Sequence, residues 1–256
     1  MEAIITIIEI LAAVGVGVIA GNGAVYGFNH IPAEWFTPDG CEPTEEVLSR
    51  DRQRIPSYPW KYIMTASFII VLIFMAVRDW QYAVPAACAV WLLTELALSC
   101  GKYRVMPDQL VVMLFATGFG FIPYHSTWRM IIWGVAAGCI SAAVIWLVVR
   151  FALKREASPA TWHDRNGYIS GRHSVEQHKS PLMGINEIAV GGALGLIMGP
   201  QGAVAVMVAG VLASGLVTGA RALSHKSKKG DVQPVGTYVC AAAIIYIVLH
   251  IRIFGF

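Results

Sequence analysis

Residues 184–220 read GINEIAVGGALGLIMGPQGAVAVMVAGVLASGLVTGA. Glu187 is the only charged side chain in these 37 residues. A hydrocarbon core about 30 Å thick is crossed by roughly 17–25 apolar helical residues. The stretch is therefore long enough for two crossings, with Gly199-Pro200 as the tight reversal between them. Its glycines fall four apart at Gly191, Gly195 and Gly199, with Gly192 beside that face. The spacing returns at Gly215 and Gly219. Small faces let helix backbones approach closely in lipid, where apolar burial alone gives no driving force. The pattern predicts tight packing between the two helices.

The rest of the chain repeats this texture. Of its 256 residues, 56% are hydrophobic and only 14% charged, with a mean hydropathy of +0.60. Soluble domains carry about 25% charged residues. The expected fold is an all-α integral membrane protein with about eight transmembrane helices, forming one membrane domain over 1–256. The predicted spans are 3–28, 62–77, 81–99, 108–123, 129–150, 184–199, 201–220 and 235–254. Asp79 marks a polar turn, Pro107-Asp108 a helix start with Asp108 available as a cap, and Pro123 to Thr127 another break. The first segment has Glu2 where a signal peptide needs basic residues, so it is expected to stay as a span.

The charges supply an orientation. Sixteen of the nineteen Lys and Arg residues fall in 29–61, 100–107, 150–183 and 221–234. These are the inside loops if the N-terminus lies outside, as the positive-inside rule requires. The two long loops, 29–61 and 151–183, are then cytoplasmic. Membrane lipid is an expected partner of the basic loops, and nucleic acid is not. The five cysteines, Cys41, Cys88, Cys100, Cys139 and Cys240, share no CxxC spacing. They predict neither a disulfide framework nor a zinc site. His163, His173 and His178 match no known ligand spacing, so no metal or cofactor is expected.

A carboxylate within a membrane segment is costly and marks a functional candidate by default. Glu187 and Glu95 are the two. Asp108 and Cys100 fall near the same membrane edge as Glu187, with Glu95 more than one helical turn deeper. Two carboxyls sharing a proton can activate a water and protonate a leaving amine. No internal repeat of the kind used by transporters is present.

Short motifs along most of the chain, in order, resemble the type IV prepilin leader peptidases, which are GxGD-type intramembrane aspartyl proteases. Gly21 to Pro32 (GNGAVYGFNHIP) is similar to the family's GSFLNVVIYRLP run. Tyr58-Pro59 resembles RYPLVE, with Tyr62 at the motif's Glu. Cys100 to Leu110 (CGKYRVMPDQL) is similar to D-x6-PD-x-L. Gly184-Ile-Asn-Glu187 with Ala193-Leu-Gly195 and Gly199 is similar to GxGD followed by ALGxxxG. Pro234-Val-Gly-Thr-Tyr-Val resembles PFGPFL.

The resemblance implies cleavage of a basic leader from a pilin-like or pseudopilin precursor, at the cytoplasmic face of a bacterial inner membrane. It places the two family acids at Cys100 and Glu187. Here the first is a thiol and the second a glutamate. Asp108 and Glu95 are then the candidate second carboxyls, and Gly184 and Asn186 the substrate-binding positions. Larger family members bind zinc through paired CxxC motifs and methylate their product. With Cys41 alone in that loop, neither property is implied here. A non-cleaving homologue that binds pilin-like helices, or scaffolds a pilus, secretion or conjugation apparatus, is the alternative.

Overall fold

A computed structural model describes residues 2–36, 54–103, 105–156, 185–224 and 234–249. Among these residues there is no strand. The helices are α1 (Glu2–His30), α2 (Ser57–Arg78), α3 (Trp80–Tyr103), α4 (Asp108–Gly118), α5 (Trp128–Glu156), α6 (Ile185–Leu223) and α7 (Val235–Leu249). Short 3-10 turns cover Ala33–Phe36 and Phe119–Tyr124. Cys41, His163, His173, His178 and Gly184 lie outside the described residues, as does most of both long loops.

Five helices are long and apolar enough to cross a bilayer: Ile4–His30, Ser57–Val77, Trp80–Tyr103, Trp128–Val149 and Asn186–Arg221. The chain is a multi-pass membrane protein. Asp108–Tyr124 and Val235–Leu249 are apolar but shorter. The second span starts earlier than position 62, because Ser57 already lies in α2.

α6 runs to 39 residues because it is bent. Gly199 has φ 74° and ψ 179°, a conformation that glycine adopts without a Cβ clash. Pro200 follows and has no N–H to continue the ladder. In a straight helix Gly191 and Met207 would stand about 24 Å apart along the axis. Instead, the Met207 methyl comes within 2.9 Å of the point where a Cβ on Gly191 would sit. The element doubles back, giving a first limb (185–198) and a second limb (200–223).

The limbs meet at Gly191 and Met207, as the spacing predicts, and the glycine face has a second partner. Gly191 and Gly195 press against Gly138 and Gly134 of α5, backbone to backbone, with no room for a Cβ on any of the four. The order of these pairs makes α5 and the first limb antiparallel. Gly215 and Gly219 meet nothing within 4 Å.

α3 is the centre of the bundle. Its best membrane window is 56% buried, against 17% for α1, α2 and α5. It packs on α1, α2, α4 and α7. One residue makes the joint before it. The Asp79 N–H donates to Met75 O at the end of α2, while its Oδ1 accepts from the Gln81 and Tyr82 amides at 3.0 and 3.1 Å. This is an N-cap that satisfies two of the orphan donors of α3.

Candidate functional site

The candidate residues sit where two helices begin. Pro107 is the residue before α4, in extended conformation and with no side-chain cap. The Asp108 carboxyl does not cap its own helix. It accepts a hydrogen bond from the Asn186 amide, which also donates to Met106 O at 2.7 Å. Asn186 thus ties the first turn of α4 to the first turn of α6. Helix N-termini carry unpaired N–H groups and the positive end of the macrodipole. Asp108 and Glu187 are the acids of those two first turns, where negative charge is favoured. Asp108 is exposed; Glu187 is buried, at 9% exposure.

The same end of α3 brings in Cys100. Its Sγ lies 2.9 Å from where a Cβ on Gly236 would sit, and the Met106 methyl crowds the same point. Gly236 therefore lets Cys100 and Met106 settle against α7. One turn further along α7, Cys240 lies within electrostatic range of both Cys100 and Glu187. Cys100, Glu187 and Cys240 form one buried group, with Asp108 attached through Asn186. Cys240 is not among the predicted site residues. Its place four residues after Gly236 is the signal that it shares the face turned to Cys100.

Glu95 is elsewhere. Five residues separate it from Cys100, a rotation of about 140° around α3. Its Oε1 lies 3.3 Å from a Cβ position on Gly27, so it faces α1, beside Trp91. It is fully buried, and neither carboxyl oxygen has a hydrogen-bond partner among the described residues. Of the predicted residues, Cys100, Glu187, Asn186 and Asp108 come together at one end of the bundle. Glu95 faces away from them.

Outside the spans, the same end is closed by polar contacts around α1. Arg54 donates to Phe28 O at 2.9 Å and lies 4.8 Å from the centre of the Phe36 ring. Burial lowers the pKa of this guanidinium, and Tyr103 offsets part of the effect. Asn29 exchanges two hydrogen bonds with Ile55, at 2.9 and 3.1 Å, fixing the approach to α2.

At the opposite end, the sequence reading missed His125. Pro200 has no N–H for Leu196 O, four residues back. His125 Nε2 supplies the donor at 2.7 Å. Since a carbonyl only accepts, this nitrogen carries the proton. The signal was available, because a proline inside an apolar segment frees a carbonyl that needs a donor.

Among the described residues, no group of three or more His, Cys, Asp or Glu side chains is placed to hold a metal ion. Comparison with family models, curated proteins and solved structures returns no match.

Proposed function

We propose that this chain is a divergent prepilin-peptidase-like endopeptidase, trimming a basic leader from a pilin-like or pseudopilin precursor at the cytoplasmic face of a bacterial inner membrane. The observation behind it is the tie that Asn186 makes between the starts of α4 and α6, which puts Asp108 and Glu187 in adjoining first turns. In this reading one carboxylate takes a proton from a water as the water attacks the scissile carbonyl. The other, protonated, gives its proton to the departing amine. Asp108 is the exposed member and meets water; Glu187 is the buried member. In this reading the limbs of α6 count separately and α4 and α7 are included, making eight membrane segments, and the Lys and Arg distribution supports an N-terminus outside. That arrangement puts the basic loops beside anionic headgroups.

Co-expression with a pilin-like substrate tests the proposal. The wild-type chain should release the leader, and Glu187→Gln and Asp108→Asn should each stop release while the protein still accumulates in the membrane. Cleavage untouched by Glu187→Gln rejects the site.

One observation favours a second reading, a homologue that holds pilin-like helices without cutting them. The family's first acid position is occupied by Cys100, a buried thiol packed on Gly236. A thiol is a weaker acid than a carboxyl and has no second oxygen, so it does not share a proton as a matched carboxyl does. Co-purification of an uncut precursor with the wild-type chain is the outcome that selects this reading.

A further inference from the structure

A groove of about 640 Å³ runs between α1 and α2, lined by Val18, Ile19, Asn22, Tyr26, His30 and Lys61 among others. Its chemistry changes along its length. From Val18 to His30, α1 advances about 18 Å at 1.5 Å per residue. That is close to one leaflet of a hydrocarbon core about 30 Å thick. Val18 and Ile19 mark the deep end; His30, Ser57 and Lys61 mark the shallow end. Among the described residues, no acidic side chain lines it. His30 Nδ1 meets Tyr26 O at 2.7 Å, and because a carbonyl only accepts, Nδ1 is the donor. The imidazole also stacks on Tyr26 at 3.8 Å. The ring is thus held against Tyr26 at the shallow end of the groove.

We infer that this groove is a binding site for one anionic phospholipid of the inner leaflet. The phosphate sits at Lys61, and one acyl chain runs along Val18 and Ile19. Charge decides between this occupant and a substrate helix. A precursor with a basic leader would bring positive charge to Lys61, whereas a phosphate brings the complement. Size agrees. The volume equals roughly 20 water-sized groups at about 30 Å³ each, the scale of a single chain with its phosphate. None of the lining residues belongs to the Glu187 group, and the placement in the inner leaflet rests on the orientation proposed above.

Native mass spectrometry of the full chain, released from nanodiscs of mixed phosphatidylglycerol and phosphatidylcholine, tests this. The wild-type protein should retain one phosphatidylglycerol in preference to phosphatidylcholine. Lys61→Ala should lower that preference about fivefold, the worth of one basic residue near an anionic surface, and Lys61→Arg should keep it. Val18→Trp fills the deep end on an exposed position, so the fold survives. It should abolish retention with Lys61 still present. Retention unchanged by Val18→Trp would reduce the effect to general surface attraction and overturn the site. Equal retention of the two lipids, displacement by free glycerol phosphate, or displacement by an apolar pilin-like peptide would each overturn it as well.

Discussion

The two limbs of α6 carry the same small-residue spacing and live in opposite surroundings. In the first limb every residue from Val190 to Ile197 is buried, and Gly191 and Gly195 touch the α5 backbone. In the second limb the contacts thin out. Gly210 still presses on Val239 of α7, but Gly215 and Gly219 face open space. A four-residue glycine spacing therefore states only that a close approach is possible. Whether it happens depends on the partner, and α5 supplies glycines at the matching heights, Gly134 and Gly138. The limb that carries Glu187 is the one locked by backbone contact. That suits a site whose carboxyls need fixed positions, since a shift of about 1 Å in such a group can cost about 10²-fold in rate.

The strongest way to break the comparison is to put a side chain into the locked interface. Gly138→Leu drives a branched side chain into Gly191, whose carbonyl already occupies the space a Cβ would take. Helix backbones cannot yield as the end of a flexible side chain can, and overpacking costs about 1–3 kcal/mol even in cores that relax. The expected outcome is loss of the folded protein, seen as aggregation on size-exclusion chromatography in detergent. A monodisperse Gly138→Leu protein with a wild-type melting curve would show that α5 and the first limb do not meet through glycine.

Much of this was legible in the sequence, for physical reasons. Apolar run length reports on bilayer crossing. Gly199-Pro200 reports on a reversal because glycine permits the positive φ and proline ends the ladder. What a run cannot report is its rotation about its own axis relative to its neighbours. Glu95 and Cys100 are both polar interruptions of α3, yet one meets Gly27 of α1 and the other Gly236 of α7. Only the assembled bundle sets which neighbour lies on which side. The same limit hid α5, which meets the backbone of Gly191 and Gly195, while the second limb reaches Gly191 through Met207. It also made Asp108 read as a cap for α4, because Asn186, 78 positions away, gives no local sign of reaching it.

A smaller effect is expected at the hinge between the limbs. His125→Ala leaves Leu196 O buried with no donor, since Pro200 has none. An unsatisfied buried group costs about 1–3 kcal/mol. His125→Ala should therefore lower the melting temperature in detergent, and His125→Gln, which keeps an N–H donor, should recover part of the loss. Equal melting temperatures for all three proteins would remove His125 from the hinge. At the other end of the first limb, Asn186→Ala deletes the donor that ties α6 to Asp108 and Met106. Partly exposed hydrogen bonds are worth about 0.5–1.5 kcal/mol. With two such bonds lost, the melting temperature should fall by an amount comparable to that for His125→Ala, and Asp108→Asn combined with Asn186→Ala should cost less than the two changes separately. Strict additivity would show that the two residues do not act as a pair.

The smallest effect has the opposite sign and is the sharpest control. Gly215 and Gly219 sit inside a regular helix with nothing within 4 Å of an added Cβ, and glycine in a helix interior is worse than alanine by about 0.5–1 kcal/mol. Gly215→Ala and Gly219→Ala should therefore hold or slightly raise the melting temperature. Gly191→Ala and Gly195→Ala make the identical chemical change in the other limb and should lower it. Helix propensity predicts the same gain at all four positions, so a difference between the limbs measures backbone contact alone. If all four alanine variants behave alike, either the second limb has a partner at Gly215 and Gly219, or the first limb does not rest on α5.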